Sequence, residues 1–98
     1  MKVVFLRRAE REAIAIQKRW QREADYPETF ANDLIKAEEH LLTLPESGTP
    51  WKIQRGKVIR RWLLEKSKCH LYYRFERKQE VVVVMAVWDG RRRRPPSL

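Results

Sequence analysis

The run EVVVVMAVW at positions 80–88 constrains this chain more than any other stretch. Eight apolar residues in succession leave no polar face for water, and strand side chains alternate between faces. The segment therefore reads as a central strand covered on both sides. Two stretches before it supply strand neighbours. Residues 57–65, KVIRRWLLE, are rich in Val, Ile, Trp and Leu. Residues 69–77, CHLYYRFER, alternate, with Leu71, Tyr73 and Phe75 on one face and His70, Tyr72 and Arg74 on the other. Short polar links, KSK and RKQ, join the three strands into a meander.

A sheet of that kind needs a cover, and the first half of the chain supplies it. Lys2-Val3-Val4-Phe5-Leu6 reads as a short strand. From residue 7 to 24 the pattern turns helical, with Ala9, Ala13, Ile16 and Trp20 on one stripe and Arg11, Lys18, Arg19 and Arg22 off it. Pro27 ends this helix, because Tyr26 before it is biased away from helical geometry. Asp25 or Tyr26 is expected to cap a second helix, with Glu28 favourable in its first turn. Phe30, Leu34, Ala37, Leu41 and Leu44 form that helix's stripe. Two helices so closely joined pack as an antiparallel hairpin. Pro45, Gly48 and Pro50 then mark a rigid loop. The expected fold class is α+β: strand, helix, helix, strand, strand, strand, with the hairpin on one face of a small, mostly antiparallel sheet. The chain's 98 residues make one domain, assigned to residues 1–90, followed by a basic, Pro-containing tail at 91–98.

Charge is where function enters. Residues 1–50 carry eight Lys/Arg against nine Asp/Glu, and residues 51–98 carry fourteen against four. So basic a half favours an acidic partner: nucleic acid, an anionic membrane surface or an acidic protein. No amphipathic helix lies in the basic half, which disfavours the membrane. The N-terminus has too few apolar residues for a signal peptide or a span, so the cytoplasm is the expected location. Cys69 is the only cysteine, which excludes an internal disulfide and a cysteine-based zinc site, and His40 and His70 lack ligand spacing. No metal and no cofactor are expected.

Three pieces of the chain, in this order and spacing, resemble the RelE/ParE toxin superfamily of type II toxin–antitoxin systems, whose members are also known as plasmid stabilisation proteins. They are Leu41-Leu42-x-Leu44-Pro45-x-x-Gly48; Arg60-Arg61-x-Leu63-Leu64 followed by Leu71-Tyr72-Tyr73-Arg74; and Val87-Trp88-x-x-x-Arg92 with prolines shortly after. The resemblance implies a growth-inhibiting toxin held inactive by a cognate antitoxin. It leaves two activities open. ParE-like members poison DNA gyrase and are not nucleases; RelE-like members cut messenger RNA on the ribosome.

The residues weigh the two. Messenger cleavage needs proton carriers for the 2′-hydroxyl and the leaving oxygen, and cations for the phosphorane. Cations abound, but proton carriers near the end of the last strand do not. Close look-alikes carry a His straight after the Val-Trp pair, where this chain has Asp89. His70, Tyr72 and Arg74 are the candidate catalytic set if the chain is a nuclease. Against that, a surface role for His70 and packing roles for Tyr72 and Tyr73 are the commoner fates of such residues. Arg60, Arg61, Arg91, Arg92, Arg93 and Arg94 are the candidate target- or phosphate-binding set, with Arg60 and Arg61 on opposite faces of their strand. Trp62 and Trp88 could stack on bases or be buried against the hairpin. The terminal arginines stand as a disordered tail, a phosphate grip or the rim of a toxin surface. The balance favours a gyrase poison restrained by an acidic, amphipathic antitoxin, with a ribosome-dependent messenger nuclease second and a non-toxic basic nucleic-acid-binding module third.

Overall fold

The computed structural model describes all 98 residues. Seven elements follow one another: β1 (Lys2–Phe5), α1 (Arg7–Glu23), α2 (Thr29–Thr43), β2 (Thr49–Gln54), β3 (Lys57–Leu64), β4 (Cys69–Glu76) and β5 (Val81–Asp89). The strands form one sheet in the order β1-β5-β4-β3-β2. Three junctions are antiparallel, and β1 runs parallel to β5, pairing Lys2 with Val81 through Phe5 with Val84. The α+β architecture expected from the sequence is the one observed. The apolar run forms β5, an interior strand between β1 and β4.

One strand differs from expectation. An extra edge strand, β2, begins at Thr49, just past Gly48, where the Pro/Gly pattern predicts a loop. Its partner is fixed by a two-residue turn in which Arg55 and Gly56 both have positive φ, 52° and 77°. That is the backbone signature of a tight hairpin, and it sets the register that pairs Gln54 with Lys57. The start of α2 also differs. Its N-cap is Glu28, which makes no side-chain cap bond, and Asp25 and Tyr26 lie outside the helix.

The helical hairpin covers one face of the sheet. Ala9 and Ile16 of α1 and Phe30, Ala37 and Leu41 of α2 meet Leu64, Leu71, Tyr73, Val82, Val84 and Val87 in one core. Ala13, Trp20 and Leu34 complete the stripes at its margin. Leu44, the last member of the α2 stripe, is instead exposed at the helix C-cap. Each fully buried large side chain contributes about 1.5–3 kcal/mol, so this face holds most of the fold's apolar stabilisation.

The opposite face carries a second, smaller cluster of Ile59, Tyr72 and Ala86, bordered by Trp51, Met85, Trp88 and Leu98. Between β4 and β5 the register shifts, so that Tyr72 pairs with Ala86 and Tyr73 with Val84. Met85 is the extra residue of this bulge. The shift lets Met85 and Ala86 both join the open-face cluster while Val84 and Val87 stay in the main core.

Candidate functional site

The open face is not bare. After β5 the chain turns back and runs across it. The Trp88 indole N–H donates to the Arg94 carbonyl at 2.8 Å, and the Lys52 ammonium donates to the Leu98 carbonyl at 3.1 Å. Arg8 of α1 donates to the Ser97 carbonyl. Pro96 is buried, and Leu98 packs on the cluster beneath. Residues 91–98 are a strap seated on the sheet.

Seen from that face, the predicted residues separate. Tyr72 is only 2% exposed, its ring edge-on to Trp51 at 4.8 Å between centroids. His70 lies beside it, 6.4 Å ring to ring, half-buried. Burial first, and the charge of Arg61 second, lower the His70 pKa, so its imidazole is neutral at pH 7. Arg74 donates to Glu76 at 2.6 Å, and Lys57 pairs with the same carboxylate. The two cations hold the Glu76 carboxyl below its usual range. The cavity that Arg74 lines, with Gln54, Arg55, Lys57, Ile59, Glu76 and Met85, includes neither His70 nor Tyr72. His70 and Tyr72 thus adjoin on this face, while Arg74 lines a separate cavity and is tied to Glu76.

The arginines divide as well. Arg61 is exposed on the open face and makes no ion pair. Arg60 pairs across the ladder with Tyr73, on the hairpin side. There it donates to the Gly48 carbonyl at 3.0 Å and pairs with Glu46 at 3.6 Å. The Tyr73 hydroxyl accepts the Gly48 N–H at 2.8 Å, and burial raises its pKa. Arg60 and Tyr73 thus fasten the loop after α2 to the sheet, so Arg60 stands apart from any open-face set. Arg77 reinforces the same loop through two bonds to Glu46, whose carboxyl it holds below the usual range.

Asp89 is the hub of the C-terminal turn. Its carboxylate accepts from Arg19 at 2.5 Å, from the Arg91 guanidinium at 2.9 Å and from the Arg91 backbone N–H at 2.9 Å. The Arg91 bonds lead in lowering its pKa, to about 2. A carboxylate so held cannot take or give a proton at neutral pH. Arg91 is committed to this turn, and Arg92 lies over the Trp88 ring at 4.2 Å. Arg93 and Arg94 are exposed and unpaired. Trp62 faces the hairpin and stacks on His40 at 4.3 Å, which is the burial use. No local pattern announces Trp51 as the lid of Tyr72, or Arg19 as the partner of Asp89, because both contacts are made between distant parts of the chain.

A family model described as the ParE toxin of type II toxin-antitoxin system, parDE, matches residues 3–94. No curated protein and no solved structure matches the chain.

Proposed function

The chain belongs to the ParE toxin family of type II toxin–antitoxin systems, and we propose that it inhibits growth by poisoning DNA gyrase in the cytoplasm. One observation carries the choice over messenger cleavage: the open face leaves a single unpaired proton carrier, the half-buried His70, with no second accessible acid or base beside it, where cleavage needs both. Tyr72 lies beneath Trp51 and Arg74 is tied to Glu76, while Asp89, on the hairpin side, is pinned between Arg19 and Arg91. What the open face and its strap present most fully is cation: Arg61, Arg92, Arg93 and Arg94. Such a set suits docking, and charge steering raises the rate of encounter.

The antitoxin that the family implies is proposed to be an acidic, amphipathic segment that folds on binding. The free edge strand β2 supports that chemistry. Ile53 is 74% exposed there, among the basic residues Lys52, Arg55 and Lys57. Apolar burial and charge complementarity would act together along that edge.

The test is primer extension on a reporter message in reconstituted translation, with and without ribosomes. An intact message is expected. Cuts in register with codons, appearing only with ribosomes, overturn the gyrase reading and return His70, Tyr72 and Arg74 to candidacy.

A further inference from the structure

A basic groove of about 340 Å³ lies away from the open face, between the end of α1 and the β3–β4 turn. Arg19, Lys66, Lys68 and Arg91 line it, with Glu23 as its one acidic wall residue. Two features make it more than a solvated charge cluster. First, Arg19 and Arg91 are both held by the Asp89 carboxylate, so two guanidiniums are fixed side by side before any ligand arrives. Each retains N–H donors beyond those spent on Asp89, in the planar fork that suits phosphate oxygens. Second, Ser67 in the turn is 8% exposed, and its hydroxyl is buried with no hydrogen-bond partner. That hydroxyl is enclosed beside the groove, and a turn about its Cα–Cβ bond would bring it to an acceptor there. The turn itself is fixed: the Ser67 N–H donates to Asp33 at 2.7 Å, and the Gly90 N–H donates to the Lys68 carbonyl at 2.9 Å.

We propose that this groove binds a phosphodiester of a nucleic-acid strand. Arg19 and Arg91 take the phosphate oxygens, the Ser67 hydroxyl donates to one of them, and Lys66 and Lys68 extend the contact to the adjoining phosphate. Trp20, on the groove wall, offers an apolar surface to the sugar or base. The assignment does not depend on gyrase being the target, and of its lining only Arg91, the first residue of the strap, belongs to the set proposed for the open face.

Fluorescence anisotropy of a labelled 20-nucleotide single strand, titrated with the full chain at several salt concentrations, tests this. The K66E/K68E pair is expected to weaken binding at least about tenfold and to lower the salt slope by about two. A charge-matched control pair on the far side, K2E/K78E, is expected to change affinity by less than about threefold, since only screened, distant charge is lost. Ser67→Ala should weaken binding with its salt slope unchanged. Equal losses in the two lysine pairs would mean attraction to net charge alone and would overturn the assignment. So would displacement of the strand by polyglutamate of equal charge as efficiently as by unlabelled oligonucleotide. Should K66E/K68E melt at a lower temperature than the parent, K66Q/K68Q replaces it, and the same comparison decides.

Discussion

Asp89 shows how one residue changes role with its surroundings. Three donors converge on its carboxylate and hold its pKa at about 2, against an ordinary 3.8. A folded pKa below the unfolded one contributes stability that is present above the unfolded pKa and lost as pH falls through the folded one. Arg91 is 75% exposed, which screens part of the gain. Asp89→Asn should therefore cost about 1–2 kcal/mol near pH 7, and the difference from the parent should vanish between roughly pH 5 and pH 2. Urea denaturation at a series of pH values reads it. A constant difference across that range would detach the stability from the charge. Tyr73→Phe makes a second case. It strips the acceptor from a buried Gly48 N–H, so a loss of about 1–3 kcal/mol is expected, measured the same way. Gly48 could not help by gaining a side chain, because a Cβ there would stand 2.5 Å from the Tyr73 hydroxyl oxygen.

Among the elements, the strap of residues 91–98 carries the clearest consequence. It covers the Tyr72–Ile59–Ala86 cluster through Pro96 and Leu98, and it is tied by Lys52, Arg8 and Trp88. Removing residues 95–98 should shift tryptophan emission to the red, since Trp51 and Trp88 border the cluster, and should cost about 1–2 kcal/mol of apolar burial. An unchanged spectrum and melting curve would mean that the strap leaves the face freely in solution. Little of this was legible beforehand. The periodicity of α1 and α2 and the apolar run of β5 declare themselves, because burying a whole stripe or both faces of a strand leaves a strong pattern. β2 does not, since an edge strand with Pro50 and an exposed Ile53 buries too little to write one. Its Arg-Gly turn lacks the Asn-Gly or Asp-Gly signal that announces such hairpins. The run of arginines reads as a tail because its anchors are backbone carbonyls meeting distant side chains, which composition does not encode. Strand alternation does divide Arg60 from Arg61, but which becomes the structural clamp and which the free surface depends on the same distant contacts.

The whole molecule is a thin core with its charge gathered on the second half, and that asymmetry is what the proposed functions use. An acidic antitoxin segment should associate faster at low salt, and stopped-flow association rates should fall steeply as ionic strength rises, because exposed charges are screened beyond about 10 Å at 0.1 M. A rate indifferent to salt would leave only apolar burial to drive the complex. Toward its proposed target the protein offers exposed arginines, with the half-buried His70 as the one unpaired imidazole of that face. The most direct measurement is gyrase supercoiling of a relaxed plasmid in the presence of the purified protein, with Arg92, Arg93 and Arg94 replaced by alanine as the comparison. Loss of supercoiling or accumulation of cleaved plasmid, relieved in the triple variant, is the predicted result. Full supercoiling at a large molar excess of a correctly folded protein would contradict it.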